Sequence, residues 1–535
     1  MKAIFFIVLL FTCLVMSHDV NRPNIIPNVK EVSYGNQTLS IQSCISILSN
    51  SVSGDFVESL KQMYNSPVFG KSSNLVFGSE CPVSISITVE NPDIMMPKGF
   101  DSASEWYSLN ISSEGQITID SNYQVGVLRA METFAQLVNR KNGVTIKSLP
   151  ISINDQPRYP YRGFMLDVSR EYYPISSLKQ IIDGLRMTKI NHMHLHLTDD
   201  DSIPLQFPSY PDMVKHTAFS EEEIYTAEDM KDLIKYANDR GIKIIPEVDI
   251  PGHIRSLGND PSKKHLLTCY DKNYKWKMQD GQYIVGGPPS AVINPTLDET
   301  YEFIANIVKD LNEMFSDAEF LHFGGDEVNT SGCWTAVPEI KQFMDENNMT
   351  TGTELFAYFN QRLRKTIDGV LKDEKREIAH WTNSRGLDIK WDEGSLLQYW
   401  GLEKDLPELI KAYPGHKHIL SLQDKFYFDC GTGNKYGDGL CDPYDTWAMG
   451  RIFEPTDYYG DSDMLLGGEA PLWGELSTPY NMFNKVWPRL GVMSDIFWGP
   501  KIDGPINWGN VVADLVSFRN YVQDNGIPGN KISSR

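Results

Sequence analysis

Eight short apolar runs, each typical of a β-strand, recur between residues 161 and 473, and helical stretches separate most of them. This alternation indicates a sheet whose neighbouring strands are parallel. Eight such units in about 375 residues predict a (β/α)8 TIM barrel, in the α/β class. A doubly wound open sheet, which needs no closure, remains the alternative. The runs are residues 161–168, 190–197, 242–250, 320–328, 377–381, 395–400, 416–422 and 464–473.

Charged or aromatic side chains stand at the end of nearly every run. Barrel enzymes place their chemistry at the C-terminal ends of the strands, so we expect these side chains to meet at one mouth. They are Asp167, Arg170, Asp199, Glu247, Asp249, Asp326, Glu327, Trp381, Trp400 and Glu475.

A different pattern precedes the barrel. Residues 83–90 alternate with the period of two of a strand, and residues 123–138 have helical spacing. The sequence therefore predicts a smaller N-terminal α+β domain over residues 18–157, followed by the catalytic barrel domain over residues 158–535.

The first 17 residues have the pattern of a signal peptide, with Lys2, an apolar run and a polar stop at Ser17. No later segment has the roughly 18 uninterrupted apolar residues of a membrane span. We therefore expect a luminal or secreted protein without a membrane span. The formal net charge of −21 argues against nucleic acid as a partner, because a polyanion repels it.

Six cysteines follow the leader, an even number that suits an oxidising compartment. Pairing within segments predicts the disulfides Cys44–Cys81, Cys269–Cys333 and Cys430–Cys441. Glycosylation sequons begin at Asn36, Asn110, Asn329 and Asn348.

The segment FGGDEV places two acids, Asp326 and Glu327, directly after an apolar run and two glycines. Neighbouring strand residues point to opposite faces, so the two carboxyls are poorly placed to flank one sugar carbon as acid and nucleophile. We interpret Glu327 as a general acid and Asp326 as the partner of another substrate group. A solvated acidic loop is the alternative interpretation.

Three tryptophans, Trp381, Trp400 and Trp473, end predicted barrel strands. They could line a pocket for a sugar ring or a small acyl group. Each alone is more often plain core packing, but three at one level favour a pocket.

The segment HMHLH places His192, His194 and His196 on one strand face. In a barrel, His194 and His196 could bind a metal, and this is the competing hypothesis of a metal-dependent hydrolase. The segment PEVDIPGH offers another cluster, in which Pro251 and Gly252 present His253. We expect such a cluster to raise the pKa of Glu327, with a plain surface turn as the alternative.

Together these segments resemble the family-20 β-N-acetylhexosaminidases of the eukaryotic lysosomal and secreted type. The order GGDE, with PGH before it and LWGE after it, is highly specific, and the match covers most of the chain after the leader. The matching motifs are YRGFMLDVSREYYP (161–174), NHMHLHLTDDDSIPLQF (191–207), PEVDIPGH (246–253), INPT (293–296), HFGGDEV (322–328), YFD (427–429), GGEAPLWGE (467–475) and WPR (487–489).

The resemblance implies an exo-acting, retaining hydrolase of terminal GlcNAc or GalNAc that needs no cofactor and no metal. The substrate's own 2-acetamido oxygen attacks the anomeric carbon. Glu327 would protonate the leaving oxygen, Asp326 would orient the acetamido N–H, and Tyr427 would hydrogen-bond its carbonyl. The implied binding residues are Arg162, Trp381, Trp400, Asp429, Trp473 and Glu475, and the implied network that tunes Glu327 is Asp199, Asp249 and His253.

Departures from the family pattern are few. Asn383 and the pair Asp495 and Ile496 stand where the family often has an acid and a Glu-Arg pair. Cys430 follows Asp429, where members that act on charged sugars can carry a basic residue, and this favours neutral terminal sugars. A non-catalytic glycan-binding relative remains a further hypothesis. The resemblance also implies a lysosomal or secreted location and a possible homodimer.

Overall fold

The computed structural model describes most of the chain, and its elements follow the predicted order. None of the helices in the described part of the chain combines the length and the hydropathy of a membrane span. The predicted leader lies outside the described residues. The described residues are 22–71, 73–141, 143–270, 276–277, 283–284, 291–328, 330, 333–372, 374, 376–383, 389–431, 444–502 and 504–532.

An eight-stranded mixed sheet forms the N-terminal domain, and two helices, α1 (Gly54–Phe69) and α2 (Gln124–Leu137), pack against it. Its strands are β1 (Glu31–Ile41), β2 (Cys44–Ser49), β3 (Val76–Gly78), β4 (Val83–Asn91), β5 (Tyr107–Ile111), β6 (Gln116–Tyr123), β7 (Val138–Asn139) and β8 (Val144–Asp155). They run in the order β1-β8-β5-β6-β4-β2-β3, with β7 beside β8. Alternate residues of β4 are buried, as its period of two predicts.

Eight parallel strands close into a barrel, in the order β9 to β11 followed by β16 to β20. The last strand pairs with the first, so the predicted TIM barrel is confirmed and an open sheet is excluded. The barrel strands are β9 (Tyr161–Asp167), β10 (His192–His196), β11 (Lys243–Glu247), β16 (Phe320–His322), β17 (Glu377–Thr382), β18 (Leu396–Gly401), β19 (Lys417–Leu422) and β20 (Leu465–Leu472).

The remaining elements surround the barrel. The described short strands are β12 (Leu267–Thr268), β13 (Trp276–Lys277), β14 (Tyr283–Ile284) and β15 (Val292–Ile293). The described helices are α3 (Ile175–Met187), α4 (Val214–Thr217), α5 (Ala227–Asn238), α6 (Asp298–Met314), α7 (Pro338–Glu346), α8 (Gly352–Leu371), α9 (Leu406–Ala412), α10 (Trp447–Arg451), α11 (Thr456–Tyr459), α12 (Met482–Val486), α13 (Arg489–Trp498) and α14 (Trp508–Asp524).

The helix α5 shows how local sequence sets these boundaries. Thr226 accepts a hydrogen bond from the Asp229 amide, and the Asp229 carboxylate bonds back to the Thr226 amide. This capping box satisfies two donors that a helix start otherwise leaves unpaired. Gly241, with φ of +68°, follows the helix and turns the chain into β11.

The two domains share a tightly packed interface at the N-terminal end of the barrel. The helix α2 is buried on nearly all sides, because it lies between its own sheet and the barrel. Arg129 of α2 donates to the Gly241 carbonyl over 2.8 Å, just before β11. At the end of the chain, Tyr521 of α14 returns to bond Glu132 of α2.

Two of the predicted disulfides, Cys44–Cys81 and Cys269–Cys333, are confirmed. Cys430 is also disulfide-bonded, and its predicted partner Cys441 lies outside the described residues. Of the sequon residues, Asn36 and Asn348 are exposed, Asn110 is half-buried, and Asn329 is not among the described residues.

Candidate active site

The acids Asp326 and Glu327 lie at the C-terminal mouth of the barrel, directly after β16. Gly324 and Gly325 have φ of 53° and 92°, a left-handed backbone that favours glycine. A Cβ on Gly324 would lie 1.9 Å from Asp249 Oδ1. The glycine pair therefore turns the chain out of the sheet and admits the Asp249 carboxylate, to which the Gly325 amide donates over 2.8 Å. This turn is why β16 has three residues where the sequence predicted nine.

Asp326 is half-buried, and its Oδ1 atom is buried with no hydrogen-bond partner in the described part of the chain. Burial raises the pKa of Asp326 to about 6. Burial also raises the pKa of Asp249 well above its ordinary value, and Asp249 shares a hydrogen bond with Asp326. The remaining oxygen of Asp326 is thus an acceptor for a donor on a ligand.

Glu327 occupies a different environment from its neighbour. Its side chain is 58% exposed, and its Oε2 atom lies 3.5 Å from His253 Nε2. Both Glu327 and His253 have left-handed backbones, with φ of 49° and 46°. Such conformations cost free energy in non-glycine residues and cluster at functional sites.

Asp199 holds His253 from the other side. Asp199 Oδ2 lies 3.5 Å from His253 Nδ1, 3.0 Å from His196 Nε2 and 2.7 Å from an Arg170 nitrogen. Burial alone would lower the pKa of His253, but Asp199 outweighs it and raises that pKa well above its ordinary value. The hydrogen bond from this cationic imidazole then lowers the pKa of Glu327. The expectation that this cluster raises the pKa of Glu327 is therefore wrong for the free protein.

Arg162 does not lie at the mouth, and its predicted role in holding sugar hydroxyls is wrong. It is fully buried near the start of β9, at the N-terminal end of the barrel, where its guanidinium binds Glu105 and the carbonyls of Tyr159 and Lys189. The arginine at the mouth is Arg170, three residues after β9 ends.

Arg170 occupies the position that was predicted for Arg162. It binds Asp167 Oδ2 over 2.8 Å, lies 3.9 Å from Glu475 Oε1, and has its guanidinium carbon 5.2 Å from the centre of a Trp473 ring. The sequence signal was present, because a residue beyond the end of a barrel strand lies at the mouth and the second residue of the strand does not.

The three predicted tryptophans lie on the mouth side of β17, β18 and β20. Trp381 is buried and lies 5.8 Å from Trp473, measured between ring centres at an interplanar angle of 46°. Trp400 is half-buried at the end of β18, and its indole N–H is buried without a partner among the described side chains. Trp381 and Trp473 therefore present adjoining aromatic rings at the mouth, which suit the apolar face of a sugar or a small acyl group.

Tyr427, Asp429 and Glu475 complete the mouth. Tyr427 shares a hydrogen bond with Trp473, and burial raises its pKa well above the ordinary value, so the phenol stays neutral. Burial is the main cause that raises the pKa of Asp429 to about 7, and the negative charge of the nearby Glu475 is the second. Asp429 is buried, whereas the Glu475 side chain is 38% exposed.

The barrel matches the family model described as "Glycosyl hydrolase family 20, catalytic domain" over residues 159–501, more than half of the chain. The chain belongs to glycosyl hydrolase family 20. The resemblance seen in the sequence is thereby confirmed, and the protein is a glycoside hydrolase. A second model, described as "beta-acetyl hexosaminidase like", matches residues 79–137 of the N-terminal domain.

Individual relatives agree with the family assignment. The family-20 chain is 30% identical over 470 residues to the "Chitooligosaccharidolytic beta-N-acetylglucosaminidase" of Ostrinia furnacalis, which covers 83% of this chain and 75% of the relative. It is 32% identical over 421 residues to the "Beta-hexosaminidase subunit beta" of Mus musculus, and this match covers 78% of this chain and 73% of the relative. The fold resembles a solved GH20 exo β-N-acetylglucosaminidase from Vibrio harveyi with a TM-score of 0.77 at 23% identity, covering 95% of this chain and 78% of that one.

The histidines of β10 in this family-20 enzyme do not favour the metal hypothesis. His194 lies 2.9 Å from Glu469 and 3.1 Å from Glu247, and His196 lies 2.7 Å from Glu247 and 3.0 Å from Asp199. Burial would lower the pKa of His194, but Glu469 and Glu247 raise it to about 9. His194, Glu247 and His322 lie close enough to one another to hold an ion, but the family assignment favours a glycoside hydrolase, and the carboxylates here serve as partners of the histidines.

Sequence reasoning placed Glu247 at a strand end but assigned it no role in the family-20 site. Glu247 is fully buried below the mouth and contacts four ring systems, those of His194, His196, His322 and Trp381. The sequence signal for this role was the alternation of HMHLH, which points every second side chain of β10 into the barrel, where Glu247 of the next strand can meet the histidines.

Proposed function

We propose that the protein is an exo-acting, retaining β-N-acetylhexosaminidase that removes terminal non-reducing GlcNAc or GalNAc from glycoconjugates and oligosaccharides. The observation that carries the proposal is the division between Asp326 and Glu327. Asp326 offers a buried oxygen that has no partner in the described part of the chain, and Glu327 is exposed and held by His253. Two adjacent carboxylates in such different environments suit two different atoms of one sugar.

Substrate assistance follows from this division. The acetamido oxygen of the substrate attacks the anomeric carbon, the glycosidic C–O bond breaks, and Glu327 gives its proton to the leaving oxygen. Asp326 accepts the acetamido N–H and stabilises the positive charge of the oxazolinium-like intermediate. Tyr427 donates to the acetamido oxygen. Water then attacks the anomeric carbon, Glu327 takes its proton, and the acetamide is restored with net retention.

Glu327 must hold a proton when the substrate leaves, although its pKa is lowered in the free protein. A bound sugar covers the exposed side chain and removes water from it. Desolvation disfavours the ionised carboxylate and raises the pKa of Glu327. Glu327 therefore takes up a proton as the substrate binds.

The remaining mouth residues would hold the sugar. Trp381, Trp400 and Trp473 would enclose the acetyl group and support the ring face. Arg170, rather than Arg162, joins Asp429 and Glu475 as the proposed set for the ring hydroxyls. Because two of these three are acids, the mouth would repel an anionic sugar, and this supports a preference for neutral terminal residues.

The direct test compares a chromogenic N-acetyl-β-glucosaminide with the matching β-glucoside, which lacks the acetamide. We expect turnover of the first at a rate at least about 1,000-fold above the second, since the glucoside lacks an intramolecular nucleophile worth several kcal/mol. Equal turnover of both would exclude substrate assistance. Binding of GlcNAc without any turnover would instead support the non-catalytic glycan-binding alternative.

We further propose a leader at residues 1–17, an N-terminal domain over residues 18–157 and a catalytic domain over residues 158–535, with glycosylation at the four sequons. The confirmed disulfides suit a lysosomal or secreted protein. Relatives are named as subunits, which supports assembly into an oligomer, and we propose a homodimer. N-terminal sequencing, glycosidase digestion and light scattering of the secreted protein test these points.

A further inference from the structure

Glu247 lies at the centre of the barrel, directly beneath the mouth. It is the last residue of β11, and its register partners are His196 on β10 and His322 on β16. Its side chain is fully buried. Its two carboxylate oxygens point to different groups, and each group leads to a different part of the proposed substrate site.

The first oxygen, Oε2, leads to the acid. It lies 2.7 Å from His196 Nδ1, and His196 Nε2 lies 3.0 Å from Asp199 Oδ2. Asp199 in turn faces His253, which faces Glu327. A continuous series of charged hydrogen-bonding groups therefore joins Glu247 to Glu327, and we call it the acid arm.

The second oxygen, Oε1, leads to the acyl pocket. It accepts the indole N–H of Trp381 over 2.5 Å and lies 3.3 Å from His322 Nδ1. Trp381 has no freedom to tilt without losing this bond, and its ring forms the wall next to Trp473. We call this connection the pocket arm.

We propose that Glu247 is a positioning residue that couples the two arms, so that one buried carboxylate sets both the geometry of the acid Glu327 and the wall of the acyl pocket. The inference rests on the proposed function, because it gives the two arms meaning as parts of one reaction. A reaction whose nucleophile is the substrate's own acyl group needs the acid and the pocket in fixed relative positions, since errors of about 1 Å can cost 100-fold in rate.

Electrostatics support this geometry. Burial would raise the pKa of Glu247, but the surrounding histidines outweigh it and lower the pKa well below its ordinary value, so the carboxylate stays ionised. Its charge also raises the pKa of Asp326. The charged and titratable groups that face Glu247 are His194 and His196 of β10, His322 of β16, Asp249 just beyond β11 and Asp326 just beyond β16.

The test compares Glu247→Gln with Glu469→Gln. Glu469 is a matched control, because it is equally buried in the barrel and also binds His194, but it accepts from Tyr161 and Gln398 rather than from His196 or Trp381. Both variants neutralise one buried carboxylate. Only the first leaves a single oxygen where two oxygens serve the two arms, because the amide of glutamine accepts through one oxygen and presents an NH2 group in place of the other.

Three readouts are measured in each variant: the leaving-group ratio, the acyl preference and the position of the acidic limb of the pH profile. For Glu247→Gln we expect kcat/KM on a β-1,4-linked GlcNAc disaccharide to fall on the order of 10- to 100-fold, with a smaller loss on an aryl glycoside whose leaving group needs no proton. We expect the preference for N-acetyl over N-propionyl substrate to weaken. We also expect the acidic limb of the pH profile of kcat/KM to move to lower pH, because the charge that raises the pKa of Asp326 is gone. Glu469→Gln should keep all three at wild-type values.

Equal ratios in the two variants would overturn the inference, because burial alone would then explain any loss. If Glu247→Gln does not fold, each arm is interrupted in a separate variant. His196→Asn should change only the leaving-group ratio, and Trp381→Phe, which lacks the N–H, only the acyl preference. Wild-type ratios in both would contradict the coupling. Failure of the proposed function is separate, since it would appear as wild-type protein that does not prefer the N-acetylglucosaminide.

Discussion

Charged side chains gather at both ends of the barrel, but the two ends use them differently. At the N-terminal end, Arg162 and Arg129 both bind Glu105, and Lys189 binds Asp155 over 3.1 Å, with all five side chains almost completely buried. At the mouth, Asp326 has a buried oxygen without a partner in the described residues, and Glu327 is 58% exposed. The first cluster joins two domains, and the second is open to a ligand.

The pKa values separate the two ends in the same way. Burial would raise the pKa of Glu105, but Arg162 and Arg129 outweigh it and lower the pKa to about 2. At the mouth, burial raises the pKa of Asp326 to about 6 and that of Asp429 to about 7. Burial with a matched counter-ion therefore indicates structure, whereas burial without one indicates a site that binds and reacts.

The largest effect is expected for Glu327→Gln at the mouth. The amide has the same shape but no proton to give, so turnover of a natural disaccharide should fall by roughly 10²–10⁴. An aryl glycoside with an acidic leaving group should lose less. Steady-state kinetics measure both, and thermal unfolding should stay unchanged because the side chain is largely exposed. Near-wild-type turnover of the disaccharide would show that Glu327 is not the acid.

At the other end, Glu105→Gln should change stability rather than catalysis. It leaves two buried arginines without a counter-charge, which costs about 3–5 kcal/mol of unfolding free energy. Denaturant titration measures this loss. Because the folded pKa of Glu105 is lowered, its contribution is present above the unfolded pKa near 4.5 and is lost as pH falls towards 2. A large rise in KM with normal stability would contradict the structural role.

Smaller effects are expected from the two arginines of the motif at residues 161–174, one on substrate binding and the other on stability. Arg170→Lys loses the planar fork at the mouth, and we expect KM to rise about 10-fold, or ~1.4 kcal/mol, with little change in Tm. Arg162→Lys should lower the unfolding free energy by about 1–3 kcal/mol and leave KM unchanged. Reversal of this pattern would return the substrate role to Arg162.

These arginines also show what the sequence could and could not predict. The repeat of strand and helix predicted the barrel, because each apolar run needs a parallel neighbour. It also predicted that Asp326 and Glu327 stand at the end of an apolar run, although the structure ends β16 at His322, before the two glycines. The run 161–168 already placed Arg170 beyond the end of a strand, but the family resemblance gave the substrate role to Arg162, and the folded chain shows that Arg162 is buried at the opposite end of the barrel.

The sequence also could not predict whether the pKa of Glu327 is raised or lowered. PEVDIPGH correctly predicted that His253 would approach the acid, but the protonation of His253 depends on Asp199, which comes from another strand. A pKa is set by the sum of all neighbouring charges, and only the folded chain brings His196, Arg170 and Asp199 together. Short motifs fix which groups meet, and three-dimensional packing fixes their charge.

The smallest expected effect tests the cost of an uncompensated carboxylate at the mouth. The folded pKa of Asp326 is raised, so its ionisation destabilises the fold as pH rises above the unfolded pKa near 3.8, and the penalty is complete above about 6. Asp326→Asn removes this penalty. We therefore expect the variant to be more stable than wild type by about 1 kcal/mol at pH 7, after allowance for solvent screening, and equal to it at pH 4. Its kcat should fall at the same time, because the amide cannot stabilise a positive charge. Thermal unfolding at the two pH values measures the gain, and a loss of stability at pH 7 would mean that Asp326 is paired in the free protein as fully as Glu105 is.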